Sequence, residues 1–263
     1  MGFSSEWLDL RAPADARARD KGLVGGLAAW LEKFDPEGDG PLLVDLGAGT
    51  GATIDAVGRY APEFTRWRLV DNDPDLLAEA ARRHPTAETV RADLATADLK
   101  DLLADADIVT ATAFFDLVSA DWLDRLVAAM PEKAGLYTAL TFDGTMRWSA
   151  EDGSPAPDDS AVAGAFIAHM TRDKGFGPAL GAAAGAQLAA RMAGSGRGFA
   201  DARSPWLLEA PRDAALMAAL ADGIASAVRE VNIGGLQIDP TAWRAAATGG
   251  AEIGHLDLLA LRV

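Results

Sequence analysis

The chain predicts an α/β fold, a doubly wound and mostly parallel sheet with helices on both faces. Three observations lead there. A short apolar run, Leu42-Leu43-Val44-Asp45-Leu46, passes without a break into the glycine-rich turn Gly47-Ala48-Gly49-Thr50-Gly51. Such a run reads as a buried parallel strand that feeds a helix N-terminus. Strand and helix patterns then alternate five times across residues 42 to 142. Alternation of this kind implies parallel strands joined by helical crossovers, with ligands held at the C-terminal ends of the strands. Finally, each of the first three strands closes on or just before an acid.

Residues 6 to 34 read as one helix, with apolar positions at Leu23, Leu27, Trp30, Leu31 and Phe34, and Ala12-Pro13-Ala14-Asp15 reads as a helix start. Gly47 and Gly49 allow a tight turn and a close backbone approach to a ligand, because no Cβ intervenes. The second strand ends at Leu69-Val70-Asp71, and Asp73-Pro74 then reads as an N-cap followed by a first helical residue. Asp71 lies about 20 residues beyond the turn, the offset at which a carboxylate reaches ribose hydroxyls in a nucleotide-binding fold. A third strand over residues 88 to 91 leads into Ala92-Asp93-Leu94. A fourth, residues 107 to 112, ends at Thr112 and leads into Ala113-Phe114-Phe115-Asp116. A fifth, residues 135 to 142, ends beside Asp143 and follows a helix around Trp122 to Met130.

Beyond residue 142 the chain holds more than one crossover helix. Residues 158 to 172 read as a helix with Val162, Phe166, Ile167 and Met170 on one face, and an Ala-rich helix runs to about Met192. Between them lies Arg172-Asp173-Lys174-Gly175-Phe176-Gly177-Pro178. Long connections inside a compact domain are usually functional or disordered. The aromatic and charged residues of this one predict an ordered cap. Residues 198 to 208 read as a sixth strand, residues 213 to 231 as a helix, the surroundings of Trp243 as a short helix, and residues 255 to 263 as the last strand.

With a formal net charge of −15, the chain is not expected to bind nucleic acid or an anionic membrane. It has no Cys, and His84, His169 and His255 are scattered without metal-ligand spacing, so no metal site is expected. No apolar run is long enough for a bilayer and no basic-then-apolar leader opens the sequence, which predicts a cytoplasmic protein.

The acid within the first strand and the glycine turn after it resemble motif I of the class I S-adenosylmethionine-dependent methyltransferases. A pyrophosphate-binding turn has little use for that carboxylate, whereas a ligand with an ammonium group has one. The resemblance covers residues 42 to 142 closely and the remainder by architecture. The segment Asp173 to Pro178 is similar to one in uncharacterised bacterial small-molecule methyltransferases. The resemblance implies a seven-stranded Rossmann-like methyltransferase fold, with the last strand antiparallel between the fifth and sixth. It implies one domain over residues 1 to 263: an N-terminal helical segment (1 to 36), a cofactor-binding half (42 to 142), a cap insertion and helix (143 to 197), and C-terminal strands and helices (198 to 263).

It also implies a cofactor, S-adenosyl-L-methionine, and a small-molecule acceptor. Asp45, Gly47, Ala48, Gly49 and Gly51 would hold its methionine part. Asp71 would take the ribose, Asp93 and the Leu94 N–H the adenine, and Asn72 and Thr112 are further cofactor-binding candidates. The Asn/Asp-Pro-Pro-aromatic motif of nucleobase amino-methyltransferases is missing after the fourth strand, which argues against a base as acceptor. His169 is the candidate general base, because imidazole titrates near neutrality. Asp116 and Asp143, at the ends of strands four and five, are the other catalytic candidates. Trp7, Arg11, Arg172, Lys174 and Phe176 are candidates to bind the acceptor. Two other readings stand beside this one. Gly47 to Ala52 also fits G-x-G-x-x-A, a weak nicotinamide fingerprint of an oxidoreductase, and the fold could serve a non-catalytic cofactor-binding protein.

Overall fold

The computed structural model describes residues 4–231 and 238–262. The chain begins with two helices, α1 (Ser5–Ala18) and α2 (Lys21–Leu31), where one helix over residues 6 to 34 was expected. Helix α1 starts at Ser4, whose hydroxyl accepts the Trp7 N–H, and Pro13 lies inside the helix instead of opening it. Asp20 then caps α2 by accepting the Leu23 N–H. Serine and aspartate caps satisfy donors that a helix start leaves open, so they set the boundaries here and the proline does not. The helix start expected at Ala12-Pro13-Ala14-Asp15 is overturned: these residues lie inside α1, and the Asp15 carboxylate is buried and binds Arg11 and Trp206.

The sheet follows the predicted alternation: β1 (Leu42–Leu46), α3 (Ala52–Val57), β2 (Arg66–Asp71), α4 (Pro74–Arg83), β3 (Glu88–Arg91), α5 (Leu99–Leu103), β4 (Ile108–Thr112), α6 (Ala120–Ala129) and β5 (Gly135–Ser149). The second half adds α7 (Asp159–Met170), α8 (Ala184–Gly194), β6 (Gly198–Arg203), β7 (Trp206–Glu209), α9 (Ala214–Glu230), α10 (Pro240–Ala246) and β8 (Gly250–Leu261). The strand order is β3-β2-β1-β4-β5-β8-β6, and β7 also pairs with β8. Strands β1 to β5 are parallel, and β8 runs antiparallel between β5 and β6.

Three expected boundaries are corrected. The sixth strand, expected over residues 198 to 208, divides at Ser204 and Pro205, which makes eight strands in place of seven among the described residues. Pro205 has no N–H for a ladder, and the Ser204 hydroxyl turns inward to Asp257. The fifth strand runs past Phe142 to Ser149, through register shifts between Thr138 and Thr141 and between Phe142 and Met146. Gly144, at φ 88°, sits in the second shift, a conformation glycine adopts without a Cβ penalty. The last strand begins at Gly250, ahead of the expected His255. The outcome is a two-stranded arm of β5 and β8, on which β7 also pairs.

Both sheet faces are covered. On one, Leu23, Leu27 and Leu31 of α2 share a core with Tyr137, Trp148, Trp206, Ile224 and Trp243. On the other, Leu99 and Leu103 of α5, Trp122 and Leu126 of α6, and Leu188 and Met192 of α8 pack together. The segment read as a cap divides between the faces: Val162 and Ala165 of α7 belong to the first core, and α8 to the second.

Candidate functional site

The strand order reverses between β1 and β4, and the open crevice of such a sheet lies at that reversal. The glycine turn sits there. Gly47 has φ 66° and Gly51 φ 92°. A Cβ on Gly47 would stand 2.8 Å from the Phe114 ring, and one on Gly51 would strike the His84 imidazole. Leu8 of α1 lies over the turn, 3.0 Å from where a Gly49 Cβ would be. Ala48 is buried.

The three strand-end acids hold different positions around this turn. Asp45 lies beneath it, 1% exposed, and its Oδ1 accepts from the Thr110 hydroxyl at 2.7 Å and the Thr53 hydroxyl at 3.0 Å. Burial pushes its carboxyl up to about 6, and the two hydroxyls and Arg19 oppose that shift. Asp71 is half-buried at the rim. Its Oδ2 accepts the Gly49 N–H at 2.9 Å and its Oδ1 the Asp73 N–H at 3.0 Å. Asn72 and Asp93 are exposed, and Asp93 also receives the Ala95 N–H. Leu94 is buried and its carbonyl accepts the Trp122 indole N–H at 2.7 Å.

Sequence reasoning missed Arg19. Its guanidinium is 6% exposed and donates to the Tyr137 hydroxyl at 3.2 Å and to the Thr112 hydroxyl at 3.4 Å. Thr112 in turn lies 3.0 Å from the Thr53 hydroxyl. Arg19 Nε has no partner. A buried anion and a buried cation thus lie together under the glycine turn, linked by two threonines. An arginine between two helices reads in sequence as a solvated charge, so nothing local signalled this placement.

The acceptor candidates separate into three groups. Phe176 packs on Phe114 and Trp122, with ring centroids 5.6 and 5.7 Å apart, beside the glycine turn and Leu94. Its loop is held by Asp173, whose carboxylate accepts the Gly175 and Gly177 N–H groups. His169, Lys174 and Arg172 gather instead around Glu230 at the end of α9. The His169 ring nitrogens lie 3.2 Å from the Glu230 carboxylate and 3.3 Å from the Lys174 ammonium, and Arg172 donates to the Glu230 carbonyl. None of these partners comes from a strand end.

The third group stands after β4 and beside the Phe142–Met146 irregularity of β5. Arg11 of α1 makes a forked ion pair with Asp15, at 2.8 and 3.3 Å, and its guanidinium lies 5.1 Å over the Trp206 ring. Trp206 donates to Asp15 and stands 5.0 Å from the His255 ring. His255 faces Phe142 across the β5–β8 ladder. Asp116 is 7% exposed; burial pushes its carboxyl up to about 6, opposed by the backbone N–H groups of Asp116 and Phe142 and by the charge of Arg11. Burial, then the charge of Arg11, pushes the His255 imidazole down to about 4, and Asp143 opposes this. Asp143 is half-buried, accepts the Thr145 N–H and lies 3.7 Å from Arg203. Trp7, one turn before Arg11, has an indole N–H without a partner. Of the expected set, Arg11 therefore acts on both Asp116 and His255, and Trp7 lies one helical turn from Arg11. Sequence reasoning set His255 aside because its partners lie far away along the chain.

Among the described residues no group of His, Cys, Asp and Glu has metal-holding geometry, and no helix is long and apolar enough to cross a membrane. No protein-family model matches the chain. No curated protein matches it. Solved structures do. The YcgJ protein from Bacillus subtilis aligns with a TM-score of 0.51 at 13% identity, over 92% of this chain and 99% of that one. A functionally unknown protein from Deinococcus radiodurans R1 aligns at 0.48 and 16% identity, over 98% and 99%. Geranyl diphosphate C-methyltransferase from Streptomyces coelicolor A3(2), in complex with Mg2+, geranyl diphosphate and S-adenosyl-L-homocysteine, aligns at 0.39 and 14% identity, over 90% and 80%. The first of these carries the inference of a shared fold, a Rossmann-like α/β fold with a mostly parallel sheet.

Proposed function

We propose that this chain transfers a methyl group from S-adenosylmethionine to a small-molecule acceptor. The observation that carries the reading is the placement of Asp45 and Asp71 at one glycine turn at the sheet's reversal point, with Asp93 following β3. The donor set suits the cofactor. Asp71 and Asp93 offer carboxylates to a diol and an amine, and the buried Asp45 and Arg19 offer one charge of each sign to an amino-acid end. When bound, the cofactor supplies a methyl group activated by a sulfonium.

The nicotinamide reading fits less well. A dinucleotide places its pyrophosphate on the N–H groups of such a turn. Here the buried Asp45 lies beneath the turn, and a carboxylate there disfavours a pyrophosphate.

The protein's own contribution is position and exclusion of water. Methyl transfer from a sulfonium is an in-line displacement, and holding the two reactants in place contributes about 7–11 kcal/mol. A side-chain base adds roughly 10²–10⁴-fold where the acceptor must lose a proton. The test is thermal unfolding with S-adenosylhomocysteine or NAD at about a hundred times a typical Kd. Binding to the folded state alone stabilises by about 2.7 kcal/mol at that ratio. The reading expects S-adenosylhomocysteine to raise the Tm and NAD to leave it unchanged; the reverse pattern overturns it.

A further inference from the structure

Strands β6 and β7 lie along one side of β8 in a single register: Arg203 stands opposite Leu256, and Trp206 opposite Ile253. Among the described residues only β8 pairs with either, so residues 198 to 209 form one edge of the sheet. The Ser204 N–H donates to the His255 carbonyl. In an antiparallel ladder the bonded residues alternate. Ser204 and the even-numbered residues of β6 therefore turn their backbone groups to β8, and Phe199, Asp201 and Arg203 turn theirs outward. The β7 half of this edge is closed off. Pro205 has no N–H to offer, the Leu207 carbonyl accepts from the Arg212 guanidinium, and the Glu209 N–H donates to Asp213. The β6 half has no such cover. Phe199, Asp201 and Arg203 are exposed, and no described residue hydrogen-bonds to their outward backbone groups. An open strand edge of this kind is a template for another strand.

We infer that β6 pairs antiparallel with β6 of a second copy of this chain across a two-fold axis, which joins the two sheets into one. The pairing is independent of the methyl-transfer reading. Charge selects the register. Outward-facing residues exchange hydrogen bonds only when set opposite one another. An axis at Asp201 would bring two carboxylates face to face, and an axis at Arg203 two guanidinium groups; like charges directly opposite destabilise a pair. An axis at Ala202 sets Asp201 of each copy opposite Arg203 of the other. Both side chains are available for this. Asp201 is exposed and makes no ion pair with a described residue. Arg203 is 60% exposed and lies 3.7 Å from Asp143 and 3.5 Å from Glu252, without a hydrogen bond to either.

Apolar surface lies along the same edge. Phe199 and Leu207, 42% and 61% exposed, are large apolar side chains left in solvent. Alternation along the strand puts both on the sheet face that carries Asp201 and Arg203. In the Ala202 register Phe199 stands opposite Pro205 of the other copy, and that copy's Leu207 is its diagonal neighbour, within reach of an aromatic side chain. The two-fold makes each contact twice, as an interface built from one patch on both partners requires. The far edge of the sheet provides the contrast. Strand β3 is only four residues long, and its Glu88 is held by Arg68. A short, charged strand is the usual protection of an edge; β6 is longer and its charges are complementary to a second copy of itself.

Sedimentation velocity over a concentration series tests the interface, with thermal melts to confirm that each variant is folded. The wild type should form a dimer. Asp201→Arg and Arg203→Asp each make the facing pairs like-charged and should weaken dimerisation at least tenfold. Mixed together, the two variants face each other with opposite charges again and should recover a heterodimer. The register is tested by cross-linking. The chain has no Cys, so an introduced one reports its own position. Ala202→Cys should link to itself under mild oxidation, because the axis places the two copies of this residue in a non-hydrogen-bonded pair, about 4.5 Å apart at Cα. Ala200→Cys, set opposite Ser204 of the other copy, should not. A wild-type monomer throughout the series, a dimer indifferent to both charge reversals, or a mixture of the two variants that stays monomeric overturns the proposal. So does linking through Ala200→Cys but not Ala202→Cys.

Discussion

Two deeply buried carboxylates differ in how they are satisfied, and the difference separates scaffold from site. Asp257, fully buried in β8, accepts the Ser204 hydroxyl, the Asp20 N–H and the Leu140 N–H. It pins the start of α2, the irregular turn of β5 and the end of β6 to one strand. Asp116, almost as buried, leaves Oδ1 with no partner. Burial raises the pKa of both, so desolvation alone does not distinguish them; the count of hydrogen bonds does. Where an acid holds the fold together, the fold supplies its donors.

The largest effect should come from the scaffold. Asp257→Ala would strand two N–H groups and a hydroxyl and remove an anion beside the buried Arg19. Removing one member of a buried charged network costs about 3–5 kcal/mol, readable by urea unfolding. A loss under about 1 kcal/mol would erase the contrast with Asp116.

Asp45 sharpens the comparison through pH. Its carboxyl is raised from 3.8 to about 6 in the folded protein. Between these values the folded state binds more protons than the unfolded one, so stability falls as pH rises through the window. Above about 6 the full penalty of about 3 kcal/mol is present, and below 3.8 it is absent. Asp45→Asn keeps the Oδ1 acceptor for Thr53 and Thr110 and removes the titration. Its stability relative to wild type should therefore improve by about 2.5 kcal/mol between about pH 4 and about pH 8, whatever fixed offset the amide adds. The opposing slope of His255, whose imidazole is lowered to about 4, is common to both proteins and cancels. A pH-independent difference would mean that Asp45 is not desolvated under the turn.

The same divide governs what could be read in advance. β1, β2 and β4 were legible because each holds a short apolar run stopped by an acid or a glycine within a few residues, whereas β3, Glu-Thr-Val-Arg, was legible from its place in the alternation. The remainder depends on partners far along the chain. Residues 143 to 149, Asp-Gly-Thr-Met-Arg-Trp-Ser, look like the end of a strand, and they become strand only because residues 250 to 253 lie alongside. His255 is one of three scattered histidines in sequence; Phe142 across the ladder and Trp206 beyond Pro205 give it a pocket. Arg19 reads as a surface charge until Tyr137 and Thr112 enclose it. His169 looked like a base on a helix, and its actual partners are Glu230 and Lys174.

The central claim is that the strand-end acids around the glycine turn hold S-adenosylmethionine. Calorimetric titration of S-adenosylhomocysteine into the wild type, Asp71→Ala and His169→Ala tests it most directly. Losing hydrogen bonds to a charged group costs about 1.5–3 kcal/mol. The account predicts saturable binding to the wild type, affinity at least tenfold weaker in folded Asp71→Ala, and unchanged affinity in His169→Ala. No binding to the wild type, or equal affinity in folded Asp71→Ala, would contradict it.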